Sequence, residues 1–144
     1  MNGNTMRWFA AALSLLAGGI GLAGCGGGGV AEARRLQREQ IRSVEQYLAA
    51  LDKADNAKAV AAAINAYADD MEVYAPRMKR LLEKHPEWKE ANRRPKELQE
   101  DEERAKTAFS KMAGAMFKAM PYMGDPEVRK AQERLMKAMQ LMAP

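Results

Sequence analysis

The feature that most constrains the fold is a run of apolar residues in the middle of the chain. Val60, Ile64, Tyr67, Met71, Tyr74, Met78, Leu81, His85 and Trp88 follow one another at alternating spacings of four and three. On an α-helix that spacing puts every one of them on the same side, whereas on a strand they would scatter over both faces. The stretch therefore reads as one long amphipathic helix, and a seam of that length must be covered by other helices. Pro76 falls off the seam, where it removes an N–H and crowds the carbonyl of Glu72. A kink on the solvent side, rather than a break, is the expected result.

The flanking sequence supplies candidate partners. At 144 residues the chain has room for one domain with a real core. Alanine, leucine, methionine, glutamate, lysine and arginine dominate it, and all favour helix. A first helix is expected over Val30 to Lys53, with Ile41, Val44, Leu48 and Leu51 on one face. Asp55 or Asn56 can cap the second helix by accepting a free backbone N–H. Pro86 and Pro95 bracket a looser stretch, and a third helix starts near Pro95. Its acidic start from Glu97 to Glu103 and its later Lys106, Lys111 and Lys118 suit the helix dipole. Leu98, Ala105, Phe109, Met112, Met116 and Met120 are expected on its inner face. After "PYMGDP", Asp125 caps and Pro126 opens a fourth helix that turns Val128, Leu135, Met139 and Met142 inward. The expectation is an all-α fold: a small antiparallel bundle of three to four helices within residues 30–144. The first helix could instead stand apart as a stalk or oligomerise, so the oligomeric state stays open.

The N-terminus has a different character. A short start ends in Arg7, an apolar stretch runs from Phe9 to Leu22, and no acidic residue occurs before Glu32. That is the order of an export signal. Its apolar part is too short and too glycine-rich to span a hydrocarbon layer that takes about 20 helical residues. The signal closes on Leu22-Ala23-Gly24-Cys25, which resembles the lipobox of bacterial lipoproteins. The resemblance implies cleavage before Cys25 by a signal peptidase of the lipoprotein type, a diacylglyceryl group on the Cys25 sulfur, and acylation of the new N-terminus, commonly with palmitate. It divides the chain into a signal peptide at 1–24, a lipidated cysteine and glycine tether at 25–29, and the helical domain. Gly26 stands where an aspartate commonly marks inner-membrane retention in Gram-negative lipoproteins. The resemblance therefore implies an outer-membrane protein facing the periplasm, a distinction that lapses in a Gram-positive cell. Four glycines from Gly26 to Gly29 reach at most roughly 14 Å, so the domain is expected close to the membrane surface.

Chemistry is sparse in the remainder. The net charge is +4, and removing residues 1–24 takes away only Arg7, leaving 22 basic against 19 acidic residues, or +3. The basic pairs Arg34/Arg35, Lys79/Arg80 and Arg93/Arg94 lie close to acids and read as solvated helix faces. No aromatic residues interleave with them as base-stacking platforms, so nucleic acid is not an expected partner. A lone cysteine forms no intramolecular disulfide. Beyond the signal there are one histidine, the hydroxyls of Ser43, Ser110 and Thr107, and no triad order, HExxH or phosphate-binding loop. Carboxylates pair with cations at helical spacing, as in Glu100 and Arg104, Glu102 and Lys106, and Glu133 and Lys137. No enzymatic activity and no cofactor are expected.

Methionine is the one enrichment. Met136, Met139 and Met142 form an M-x-x-M-x-x-M run that resembles the methionine motifs of some exported copper-handling proteins. Soft thioethers suit Cu(I), and His85 could add an imidazole if the fold brought it near. The plainer reading is that methionine fills an irregular helical core and that His85 caps backbone carbonyls near a helix end. The expected function is a membrane-anchored envelope lipoprotein whose helical bundle is a structural or protein-interaction module with an unspecified protein partner. The alternative is a Met-rich copper-binding or stress-related envelope protein.

Overall fold

The computed structural model describes residues 27–90 and 94–141. Within them the protein is an all-α bundle of four helices: α1 (Gly27–Lys53), α2 (Ala57–Lys84), α3 (Gln99–Ala119) and α4 (Pro126–Gln140). Short 3-10 turns at Pro86–Lys89, Lys96–Leu98 and Met120–Tyr122 fill the connections. No strand occurs among the described residues.

The turns form where the chain chemistry asks for them. Asn56 is extended and its side-chain oxygen accepts from the Ala59 N–H at 2.9 Å, starting α2. Asp125 caps α4 by accepting from the N–H groups of Glu127 and Val128, with Pro126 as the first helical residue. Each cap satisfies donors that the helix itself leaves open. Asn56→Ala is expected to lower stability by about 1 kcal/mol without changing helix content in the folded state. Urea titration followed by circular dichroism would read it, and an unchanged midpoint would show that the cap contributes nothing.

The seam of α2 is the spine of the core. Val60, Ile64, Tyr67, Met71, Tyr74 and Leu81 are buried, Trp88 continues the line beyond the helix end, and Met78 and His85 are half-buried. α2 runs on through Pro76 to Lys84 as one helix. From α1, Ala33, Leu36, Ile41, Val44, Tyr47 and Leu51 meet it, with Leu48 half-buried at the edge. The Tyr47 and Tyr67 rings stack at 4.9 Å between centroids and 16° between planes.

Cross-helix ion pairs establish the threading. Asp101 near the start of α3 bonds Arg34 and Arg38 of α1, Arg104 bonds Glu45, and Lys118 reaches Asp52. α3 therefore lies along α1 and runs in the same direction. At the far end Tyr122 donates to the Asp55 carbonyl at 2.9 Å, so α4 begins beside the start of α2. Arg134 then reaches Asp69 and Glu72, so α4 climbs along α2. The antiparallel hairpin of α1 and α2 is thus flanked by α3 on one side and α4 on the other. The flanking helices pack on the hairpin far more than on each other.

Two details differ from the sequence reading. α1 begins at Gly27, so Gly27, Gly28 and Gly29 belong to the helix rather than to an extended tether. The inner face of α3 is Ala105, Ala108, Met112 and Ala119, with Phe109 half-buried, while Met116 and Met120 are exposed. Leu98, Ala105 and Met112 are buried as expected, but Ala108 and Ala119 take the buried places expected of Phe109 and Met120, a turn of about one residue. On α4, Val128, Ala131 and Ala138 are buried and Leu135 and Met139 are half-buried.

Candidate functional site

The residues singled out for lipidation and cleavage, Cys25 and Leu22, Ala23 and Gly24, lie outside the described residues. The structure does describe the end of the bundle to which they lead. α1 opens at Gly27, and Gly29 in its first turn lies against the His85 ring so closely that an added methyl group would collide with it. The first turn of α1 is therefore docked on the residue that ends α2. His85 stacks on Trp88 at 4.0 Å and 7°, and its Nδ1 faces a Glu87 carboxylate oxygen at 3.3 Å.

The crossover from α2 to α3 closes this end. Arg94, only 8 % exposed, donates from Nε to the Trp88 carbonyl at 3.0 Å and holds its guanidinium 3.9 Å from Glu102. Burial lowers the Arg94 pKa, and the Glu102 charge opposes that effect. Burial likewise raises the Glu102 carboxyl above its ordinary value, with the Arg94 charge pulling it back. Arg94 and Glu102 are therefore not on solvated faces, as their neighbours in sequence suggest. Arg104 reaches Glu45 across the helix interface, and Lys106 pairs with Glu103.

The metal alternative can be placed only in part. Met136 is 47 % exposed, Met139 is half-buried, and Met142 lies outside the described residues. His85 is engaged by Trp88, Glu87 and Gly29. Among the described residues no group of three or more His, Cys, Asp or Glu side chains is arranged to hold a metal ion.

Two shallow clefts lie along α1. One, of about 390 Å³ between α1 and α3, is lined by Glu45, Leu48, Glu103, Arg104, Thr107 and Lys111. The other, of about 250 Å³ between α1 and α2, contains Ser43, whose hydroxyl donates to Asp70 at 2.5 Å, and Tyr74, whose hydroxyl donates to Gln40 at 3.0 Å. In the same cleft Arg77 bonds Glu39 at 2.6 Å, and that hydrogen bond holds the Glu39 carboxyl below its usual range. Burial pushes the Tyr47 phenol up to about 12 and raises Tyr74 further. The polar side chains named in this cleft are tied to one another across the α1/α2 interface, which is what a helix-pairing contact requires.

One apolar group is exposed together. Met116 and Phe117 on the last turn of α3 and Met120 just after it are 38 %, 70 % and 58 % exposed. The Lys118–Asp52 pair and the Tyr122 hydrogen bond place them where α1 ends, a helix length of about 40 Å from Gly27. The periodicity alone assigned two of these three side chains to the core. No helix among the described residues is long and apolar enough to cross a membrane.

No protein family model, no curated protein and no solved structure matches the chain.

Proposed function

We propose that the chain is a membrane-anchored envelope lipoprotein whose helical bundle acts as a structural or protein-interaction module without catalytic activity. The observation that carries this reading is the order Arg7, apolar run, Leu22-Ala23-Gly24-Cys25. Membrane lipid is held through acylated Cys25, and Gly26 favours the outer membrane facing the periplasm in a Gram-negative cell. The start of α1 at Gly27 supports a short connection, since two residues span about 7 Å. The exposed Met116, Phe117 and Met120 support the interaction role, because they lie at the end of the bundle turned away from the anchor. The interlocked polar groups of the α1/α2 cleft and the absence of a nucleophile–base–acid order in the sequence support the non-catalytic part.

Feeding the host an alkyne fatty acid tests the anchor. The wild-type chain is expected to take up the label and Cys25→Ser to lose it completely, since the only thiol is gone. Labelling that persists in Cys25→Ser would refute lipidation at this residue.

A further inference from the structure

Among the described residues six large apolar side chains are exposed, and three of them are methionines: Met116, Met120 and Met136. Met116 and Met120 lie four residues apart, and Met120 keeps helical backbone angles of −51° and −43°, so the two share a face. Phe117 stands beside them. The other described methionines are screened. Met71 is 1 % exposed and Met112 8 %, while Met78, Met123 and Met139 are half-buried. Met123 is further engaged, since its sulfur accepts from the Gln132 side-chain amide.

Exposure decides what these sulfurs meet. A thioether attacks a peroxide through a sulfur lone pair, and only where the peroxide can approach it. With hydrogen peroxide, an S–O bond forms as the O–O bond breaks. Sulfur loses two electrons, and the second oxygen leaves as water with both protons. The product is a sulfoxide, polar where the thioether was apolar. A thiol-dependent reductase reverses the step: a dithiol gives up two electrons and two protons, becomes a disulfide, and the oxygen leaves as water. At Met71 or Met112 the added oxygen would enter the core and disrupt its packing. At Met116 and Met120 it enters solvent and changes only the surface.

We propose that Met116 and Met120 are sites of reversible oxidation by peroxide, and that their sulfoxides switch the exposed apolar group to a polar one while the bundle stays folded. The inference rests on the reading of that group as an interaction surface. With both neighbours oxidised, Phe117 is the one apolar member of the group left, so a partner docked on it is released. Met136 is oxidised too but stands outside the switch. It follows Arg134, which pairs with Asp69 and Glu72 midway along α2, away from the end at which α1 stops.

Protein isolated from host membranes is held in one detergent, treated with dilute hydrogen peroxide, digested with trypsin and mapped by mass. Met116 and Met120 are expected to take up oxygen about tenfold faster than Met71 and Met112. Helical circular dichroism should stay unchanged, and methionine sulfoxide reductases with a dithiol should remove the oxygen. Bis-ANS fluorescence reports the group itself, as the excess of wild type over Phe117→Ser in the same detergent. That excess is expected to disappear on oxidation and to persist in the variant carrying Met116→Leu and Met120→Leu, since leucine keeps the apolar volume and has no sulfur. Oxidation of Met71 or Met112 as fast as Met116 and Met120, loss of helicity along with oxygen uptake, or an excess lost equally in the double variant would overturn the proposal. Equal dye binding by wild type and Phe117→Ser before oxidation would overturn the interaction reading and the switch built on it, while the mass map still decides the sites of oxidation.

Discussion

Replacing Tyr67 by alanine is expected to lower the folding free energy by about 3–5 kcal/mol. The side chain is 2 % exposed, sits midway along α2 and stacks on Tyr47 of α1. Its loss removes a large apolar transfer term, leaves a cavity that two helices cannot close without moving apart, and breaks an aromatic pair of about 0.5–1.5 kcal/mol. Against a total of about 5–15 kcal/mol for an ordinary domain, that is a large fraction. Tyr67→Phe keeps the ring and its stacking, so it should retain most of the stability. Equilibrium urea unfolding of the two variants beside the wild type measures the difference. A loss below about 1 kcal/mol for Tyr67→Ala would mean that α1 and α2 do not pair through this contact.

Arg94→Met is expected to be the next most damaging substitution, at about 2–3 kcal/mol near neutral pH. The figure lies below that for a fully buried pair, because the 3.9 Å separation is long and each side chain keeps about a tenth of its surface, 9 % and 11 %. The change removes the bond to the Trp88 carbonyl and leaves the Glu102 carboxylate buried without its cation. The pH dependence follows from the direction of the Glu102 shift. A carboxyl raised in the folded state binds its proton more tightly there than in the unfolded chain. Its contribution is most favourable below the ordinary carboxylate pKa and is lost as pH rises through the shifted value. Without Arg94 the shift grows, so the variant should lose more at pH 7.5 than at pH 4.5, and a second change, Glu102→Gln, should restore part of the loss at the higher pH. Thermal melts of the single and double variants at both values read this directly. A loss equal at the two values would show that Glu102 does not respond to Arg94.

Those two sites differ in how far they can be read from sequence. Tyr67 belongs to a seam whose four-and-three spacing is visible without a structure, and the caps at Asn56 and Asp125 follow from local backbone chemistry. Such features depend on residues a few positions apart. The Arg94–Glu102 contact depends on how a crossover folds back, and the near sequence offers both residues other partners. The turn of α3 is harder to read for a related reason: apolar size points to Phe109, Met116 and Met120, whereas Ala108 and Ala119 are the residues buried beside the correctly placed Ala105 and Met112. The glycines of 27–29 are hard to place from sequence too, since their weak helix propensity favours a tether. Contact of Gly29 with His85 is available only to a residue without a Cβ, and it lets α1 dock at its first turn. The proposal that Leu22-Ala23-Gly24-Cys25 is a lipobox, by contrast, rests on a local sequence alone and needs no fold.

The most direct test of the account is the intact mass of the protein extracted from its host's membranes. The expected species begins at Cys25 and carries the added mass of a diacylglyceryl group and an N-terminal acyl chain. A species that retains residues 1–24, or that begins elsewhere without lipid, would contradict it.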